Sequence, residues 1–197
     1  MKQNCHIILA SSSPARKKIL SDLGVKFEVI NPAFDEDAAK PVIKHLSIGQ
    51  QAMYLAKQKA LSVSIDHPDS LVIGSDQICE LEGLAIDKSK DRAQAIAQLR
   101  RLRSKTHIQN NAVCLYKSDK LLFKKLSKAK LAVRNLSDAE IENYVDLDQS
   151  WGSAGSYKFE SFGKHLFSKV TGADNIIIGM NIVPVLNFLY QQKLITL

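Results

Sequence analysis

The stretch that most constrains the fold is residues 6–30, where two apolar runs flank a helix opened by serine and proline. Residues 6–10 (HIILA) are bounded by serines and read as a buried strand. Ser13-Pro14 predicts a helix start, with Ser as N-cap and Pro in the first helical position. Ile19, Leu20 and Leu23 form the apolar face of that helix, and Gly24 ends it. Residues 25–30 alternate as a second strand.

The alternation continues down the chain. Residues 31–44 are polar and turn-rich and read as a loop carrying Asp35-Glu36-Asp37. Ile48, Ala52, Leu55, Ala56, Ala60 and Val63 fall at helical spacing within residues 47–64. Residues 71–74 read as a buried strand ending at Ser75-Asp76-Gln77, and Asp91 caps a helix over 91–102. Residues 105–133 read as two or three long strands turning near Ser118-Asp119. Ser137 and Glu140 form a capping box opening a helix to about residue 146. A strand near 165–170 and a last helix over about 182–190 complete the chain. This pattern predicts an α/β or α+β fold, with the hairpin at about 105–133 in a second lobe of one 1–197 domain.

Size and composition agree. At 197 residues and 45% hydrophobic, such a chain buries roughly 70% of its unfolded surface without needing a staple. The three cysteines, Cys5, Cys79 and Cys114, are far apart, form no CxxC pair and read as small buried hydrophobes in a reducing compartment. The apolar run at the start is too short for a signal peptide, and the greasy 175–190 stretch is interrupted by Asn181, Pro184 and Asn187. The expectation is therefore a cytoplasmic protein with no membrane partner. The net charge of +7 can steer anionic partners, but it does not by itself point to nucleic acid. The basic stretch 117–134 reads mainly as a solvated hairpin face.

Four constellations could carry chemistry. In LASSSPAR, residues 9–16, free backbone N–H groups and a helix N-terminus converge where a phosphate or carboxylate would be favoured, and Arg16 adds a fixed charge. Asp35 and Glu36 supply carboxylates in the following loop. Asp76 follows an apolar strand, and ligands of α/β sheets collect at strand carboxyl ends. Lys59, beside an apolar helical stripe, and Lys88, after Ile86-Asp87, either bind anions or snorkel. Together, two carboxylates for a hard divalent cation and several cations for phosphates suit attack by water on a phosphoanhydride. No Walker loop, HExxH or Cys/His zinc spacing occurs.

LASSSPAR, Asp35-Glu36, LAKQKA at 55–60, IGSDQ at 73–77, Asp87-Lys88-Ser89, KTH at 105–107, LSDAEIENYV at 136–145 and AGSY at 154–157 occur in one order across nearly the whole chain. In this the chain resembles the Maf family of nucleoside triphosphate pyrophosphatases, once named as septum-formation inhibitors. The resemblance implies an elongated mixed β-sheet with flanking helices, two lobes around a central cleft, and kinship with the inosine-triphosphate pyrophosphatases. It implies Asp76 as proton acceptor, Glu36 with Asp76 as ligands of Mg²⁺ or Mn²⁺, and Ser11, Arg16, Lys59 and Lys88 at the triphosphate. Ala15, Gln77 and Glu160 fall where the family varies with substrate. Ser75-Asp76-Gln77 is similar to the branch acting on 7-methylguanosine triphosphate rather than the branch acting on dTTP and UTP.

Some positions depart from the family pattern. Asp87-Lys88-Ser89 stands for Gly-Lys-Pro, Ala15 for a second Arg, Ser104 for a Gly, and Gly179-Met180-Asn181 for Gly-Leu-Pro. The expected activity is cleavage of a guanine-type nucleoside triphosphate between its α and β phosphates, giving a monophosphate and diphosphate. A homodimer stands as an open expectation. The alternatives are a nucleotide-binding regulator of cell division with weak turnover and, on charge alone, an RNA-binding module.

Overall fold

The computed structural model describes residues 2–197, in which strands and helices alternate. In chain order come β1 (Lys2–Gln3), β2 (Ile7–Leu9), α1 (Pro14–Asp22), β3 (Glu28–Val29), α2 (Glu36–Ile43), α3 (Ile48–Ser64), β4 (Leu71–Leu81), β5 (Leu84–Ile86) and α4 (Arg92–Leu102). There follow β6 (Thr106–Lys117), β7 (Lys120–Val133), α5 (Asp138–Asp148), a 3-10 turn (Phe162–Leu166), β8 (Phe167–Thr171), α6 (Asp174–Ile178), α7 (Ile182–Gln191) and β9 (Ile195–Thr196). The chain divides into two compact units. The first holds residues up to Asp76, Asn111–Ser127 and Gly179–Leu197; the second holds Gln77–Asn110 and Lys128–Ile178. Strands β4, β6 and β7 each give one part to either unit. The hairpin expected in a second lobe is thus divided, its middle belonging to the first unit.

In the first unit the strand order is β3-β2-β4-β6-β7. Strand β2 is parallel to both neighbours, with Ile7, Ile8 and Leu9 opposite Leu71, Val72 and Ile73 of β4. A parallel strand covered on both faces must be apolar throughout, and Ile7, Ile8, Leu9 and Ala10 are all fully buried. The buried alanines of α3, Ala52, Ala56 and Ala60, let that helix lie close to β4. Ser47 and Gln50 close its capping box. A Cβ at Gly74 would stand 2.3 Å from Ala56 O and 2.7 Å from Ala60 Cβ.

In the second unit the order is β4-β6-β7-β8, with β5 antiparallel to β4 and β8 antiparallel to β7. Its core joins Cys79, Leu81, Leu99, Leu102, Leu131, Ile141 and Tyr157, with Trp151 packed against it. Parallel and antiparallel pairings together make the sheet mixed, so the α/β expectation holds.

Several local expectations change. The loop at 31–44 contains a helix, α2, whose N-cap Asp35 accepts from the Ala38 N–H. The interior Pro41 and the acidic start hid it, although Ala39 and Ile43 give it a buried face. The strand expected to end at Gly74 continues to Leu81, so Asp76 is a mid-strand residue rather than a strand terminus. The strand near 165–170 begins at Phe167, after the 3-10 turn. Cys79 and Cys114 are buried as expected, whereas Cys5 is half-buried. No helix of the described residues is long and apolar enough to cross a membrane.

Candidate active site

The first unit gathers charged groups from four elements. Lys59, near the middle of α3, is only 6% exposed, and its Nζ lies 2.6 Å from Asp76 Oδ1 and 2.8 Å from Glu36 Oε1. Residue 59 sits beside the alanine stripe that packs on β4, so its stem is covered by apolar neighbours and its head must find acids. Two acids meet it there. Asp76, also 6% exposed, comes from β4, and half-buried Glu36 opens α2.

Arg16 approaches from the first turn of α1. Its Nη1 donates to Ser11 Oγ at 3.1 Å and its Nε to Gly179 O at 3.0 Å. Ser11 Oγ also accepts from the Ser13 N–H, and Ser13 Oγ caps the helix by accepting from the Arg16 N–H. The serine turn and the arginine therefore form one hydrogen-bonded corner. The parallel pairing of β2 with β4 brings this corner, which follows β2, to the level of Ser75 and Asp76.

Burial pushes the Asp76 carboxyl above its ordinary value; Lys59 and Arg16 pull it down, and Glu36 pushes it further up. The net direction is upward, toward the range in which a carboxylate can take a proton. Burial also lowers the Arg16 guanidinium, against Asp76 and Glu36. With Arg16 and Lys59 positive and Glu36 and Asp76 negative, the four charges cancel. A polyanion entering such a cluster needs further positive charge.

The carbonyl of Gly179 organises the back of the site. It accepts from Arg16 Nε and from Asn111 Nδ2 at 2.7 Å, and Ser75 Oγ lies 3.1 Å away. Asn111 Oδ1 in turn accepts from the Asn181 N–H. Sequence reasoning missed Ser75 and Asn111. The signal available was a run of polar residues, Gln109-Asn110-Asn111, inside a strand where alternation predicts apolar ones.

Residues 6–192 match the family model described as Maf-like protein. The chain belongs to the Maf family. Its curated relatives include a nucleoside triphosphate pyrophosphatase of Rhodopseudomonas palustris, 39% identical over 96% of this chain and 95% of the relative. A nucleoside triphosphate pyrophosphatase of Legionella pneumophila is 33% identical over 96% of this chain and 94% of its own. Among solved structures, a HAM1 protein from Coxiella burnetii aligns with 67% of this chain and 74% of its own, at 13% identity and a TM-score of 0.43.

Within this Maf-family chain, Ser11, Arg16, Glu36, Lys59 and Asp76 stand in the first unit, and the contacts above join Ser11 to Arg16 and Glu36 and Asp76 to Lys59. Ala15 precedes Arg16 in α1 and is half-buried. Lys88, Gln77 and Glu160 belong to the second unit. Lys88 and Glu160 are exposed. Lys158, a conceivable partner of Glu160, instead donates to the Asp148 carbonyl at 2.7 Å. Gln77 is half-buried, and its Nε2 donates both to Gln109 Oε1 and to Ile177 O.

Proposed function

We propose that this chain is a nucleoside triphosphate pyrophosphatase that cuts between the α and β phosphates, releasing a nucleoside monophosphate and diphosphate. The observation that carries the reading is the buried Lys59 bridging Asp76 and Glu36. Asp76, raised by burial, takes the proton of the attacking water. Arg16 and the Ser11–Ser13 turn hold phosphate oxygens, with Lys59 and Lys88 as further cations. Ala15, Gln77 and Glu160 set the base preference, toward guanine-type triphosphates.

Glu36 and Asp76 fit a hard divalent cation. Both reach one point, now the Lys59 ammonium, and Mg²⁺ commonly takes one or two carboxylates with water and substrate phosphate. No cluster of three or more metal-ligating side chains occurs among the described residues. When bound, Mg²⁺ or Mn²⁺ would neutralise phosphate oxygens that the balanced protein charges leave uncompensated. The free cysteines suit action in the cytoplasm.

The test is a diphosphate-release panel over ordinary and 7-methylguanine triphosphates, with Mg²⁺, Mn²⁺ or excess EDTA. Release of diphosphate with the metals, highest for guanine-type substrates and abolished by EDTA, is expected. Full activity in EDTA removes the metal role of Glu36 and Asp76. Nucleotide binding without diphosphate release in either metal turns the reading to a regulatory nucleotide binder.

A further inference from the structure

Residues 154–157 of the second unit form a tight turn that touches both candidate substrate-binding segments of that unit. Gly155 has φ +83°, and a Cβ there would meet the Tyr157 ring at 2.8 Å and Cys79 Sγ at 3.2 Å. Ser156 follows at φ +58° and is fully buried, a conformation L-residues adopt only when their surroundings fix them. The reason for holding a serine there lies in its hydroxyl.

Ser156 Oγ donates to Gln98 Oε1 at 2.6 Å and accepts from Ser89 Oγ at 2.9 Å. Gln98 Nε2 donates to the Asp87 carbonyl at 2.8 Å, and the Ser89 carbonyl accepts from the Gly152 N–H. Lys88 is therefore an exposed cation whose two chain neighbours are each anchored by hydrogen bonds. Ser89 is itself 2% exposed, so its hydroxyl has no solvent alternative to this partner.

The next residue of the turn reaches the other way. Tyr157 OH accepts from Gln109 Nε2 at 2.7 Å, so its own proton goes to His107 Nε2, 2.8 Å away. That leaves the imidazole proton on Nδ1. Gln109 Nε2 also faces the Ala154 carbonyl, and its Oε1 accepts from Gln77 Nε2 at 3.0 Å. The second N–H of Gln77 goes to the Ile177 carbonyl. Both donors of Gln77 are spent, and its Oε1 has no donor among the described residues. A buried acceptor without a donor is costly, and a base N–H would complete it.

The geometry points to the 155–157 turn as a positioning device for substrate: Ser156 fixes the segment carrying Lys88, and Tyr157, through Gln109, fixes the amide of Gln77 as a hydrogen-bond acceptor. It rests on the reading that Lys88 meets phosphate and Gln77 meets the base. The two arms act on different parts of a nucleotide, so their loss is separable.

The experiment measures kcat and KM for GTP, UTP and CTP, together with inhibition by inorganic tripolyphosphate, which has no base. Ser89→Ala and Ser156→Gly, the latter keeping the positive φ, should raise KM for every nucleotide and the tripolyphosphate Ki by about 3- to 10-fold, with kcat nearly unchanged. Ser89→Thr keeps the hydroxyl and should restore wild-type KM. Tyr157→Phe and Gln109→Leu should leave the tripolyphosphate Ki alone and shift the ratio of kcat/KM among bases toward that of Gln77→Ala. Two outcomes overturn the positioning role while sparing the functional reading. One is a raised KM in Lys88→Ala with wild-type KM in both serine variants. The other is an altered base ratio in Gln77→Ala that neither Gln109→Leu nor Tyr157→Phe reproduces. If Lys88→Ala and Gln77→Ala themselves change nothing, their substrate roles fall and the turn's role falls with them.

Discussion

At the scale of single residues, the proposed chemistry rests on Asp76 being both buried and partnered. In the proposed role of proton acceptor it must be ionised, and burial raises its carboxyl above the ordinary value. Asp76→Asn should therefore cut kcat by roughly 10²- to 10⁴-fold. Its stability should not suffer. A carboxyl whose folded pKa is raised binds its proton more tightly in the folded state, so its ionised form costs stability at neutral pH. The amide oxygen of Asp76→Asn still accepts from Lys59, and Glu36 still neutralises that ammonium. Diphosphate release and thermal melting at pH 7 check both halves: a variant retaining most of its turnover, at an unchanged melting temperature, would remove Asp76 from the chemistry. Residue-scale departures from the family also find physical roles. Asn181, where the family has proline, donates its backbone N–H to Asn111, a bond proline cannot make. Ser104, where the family has glycine, keeps a glycine-like φ of +58°.

The element scale explains why α3 and β4 hold their charges together. Helix α3 meets β4 through alanines, and at Gly74 the two lie too close for a Cβ. A Cβ at Gly74 would overlap the Ala56 carbonyl, which is backbone and cannot swing aside as a flexible side chain would. Gly74→Ala must push α3, and Lys59 with it, away from β4 and Asp76. Overpacking of this kind costs about 1–3 kcal/mol. The expected result is a lower urea midpoint together with a kcat loss, because the bridge at 2.6 Å is stretched. Unchanged stability and turnover would show that the helix does not rest on this glycine. Much of this arrangement was legible. The caps at Ser13, Asp91 and Ser137 placed α1, α4 and α5, and the apolar periodicity of residues 47–64 placed α3. What was not legible was where polar residues stay inside the sheet. Ser75-Asp76-Gln77 looks like a turn, yet β4 runs through it because Ser75 and Gln77 find partners on Ala112, Gln109 and Ile177. Likewise, the acids of Asp35-Glu36-Asp37 looked like solvated loop residues, whereas they start a helix that aims Glu36 at Lys59.

For the whole molecule, stability against acid is set in part by one histidine that the chemistry does not use directly. His107 is fully buried against Tyr157, and burial pushes its pKa down from 6.5 to about 4. The other histidines are exposed or half-exposed. An unfolded chain takes up a proton at this residue near 6.5, whereas the folded chain resists until about 4. Between these values the unfolded state binds more protons, so stability falls as pH falls through the window and is fully retained only above it. For a shift of this size the loss between pH 7 and pH 5 is about 2 kcal/mol. Asp138, Glu140 and Asp146, held low by their arginine and serine partners, titrate further toward acid, whereas Asp76, held high, takes up its proton in the folded state and offsets part of this loss. His107→Gln keeps an acceptor for the Tyr157 hydroxyl and removes the titration. Urea unfolding at pH 7 and pH 5 should show the wild-type chain losing about 2 kcal/mol more than the variant. An equal change in both would place the acid sensitivity elsewhere.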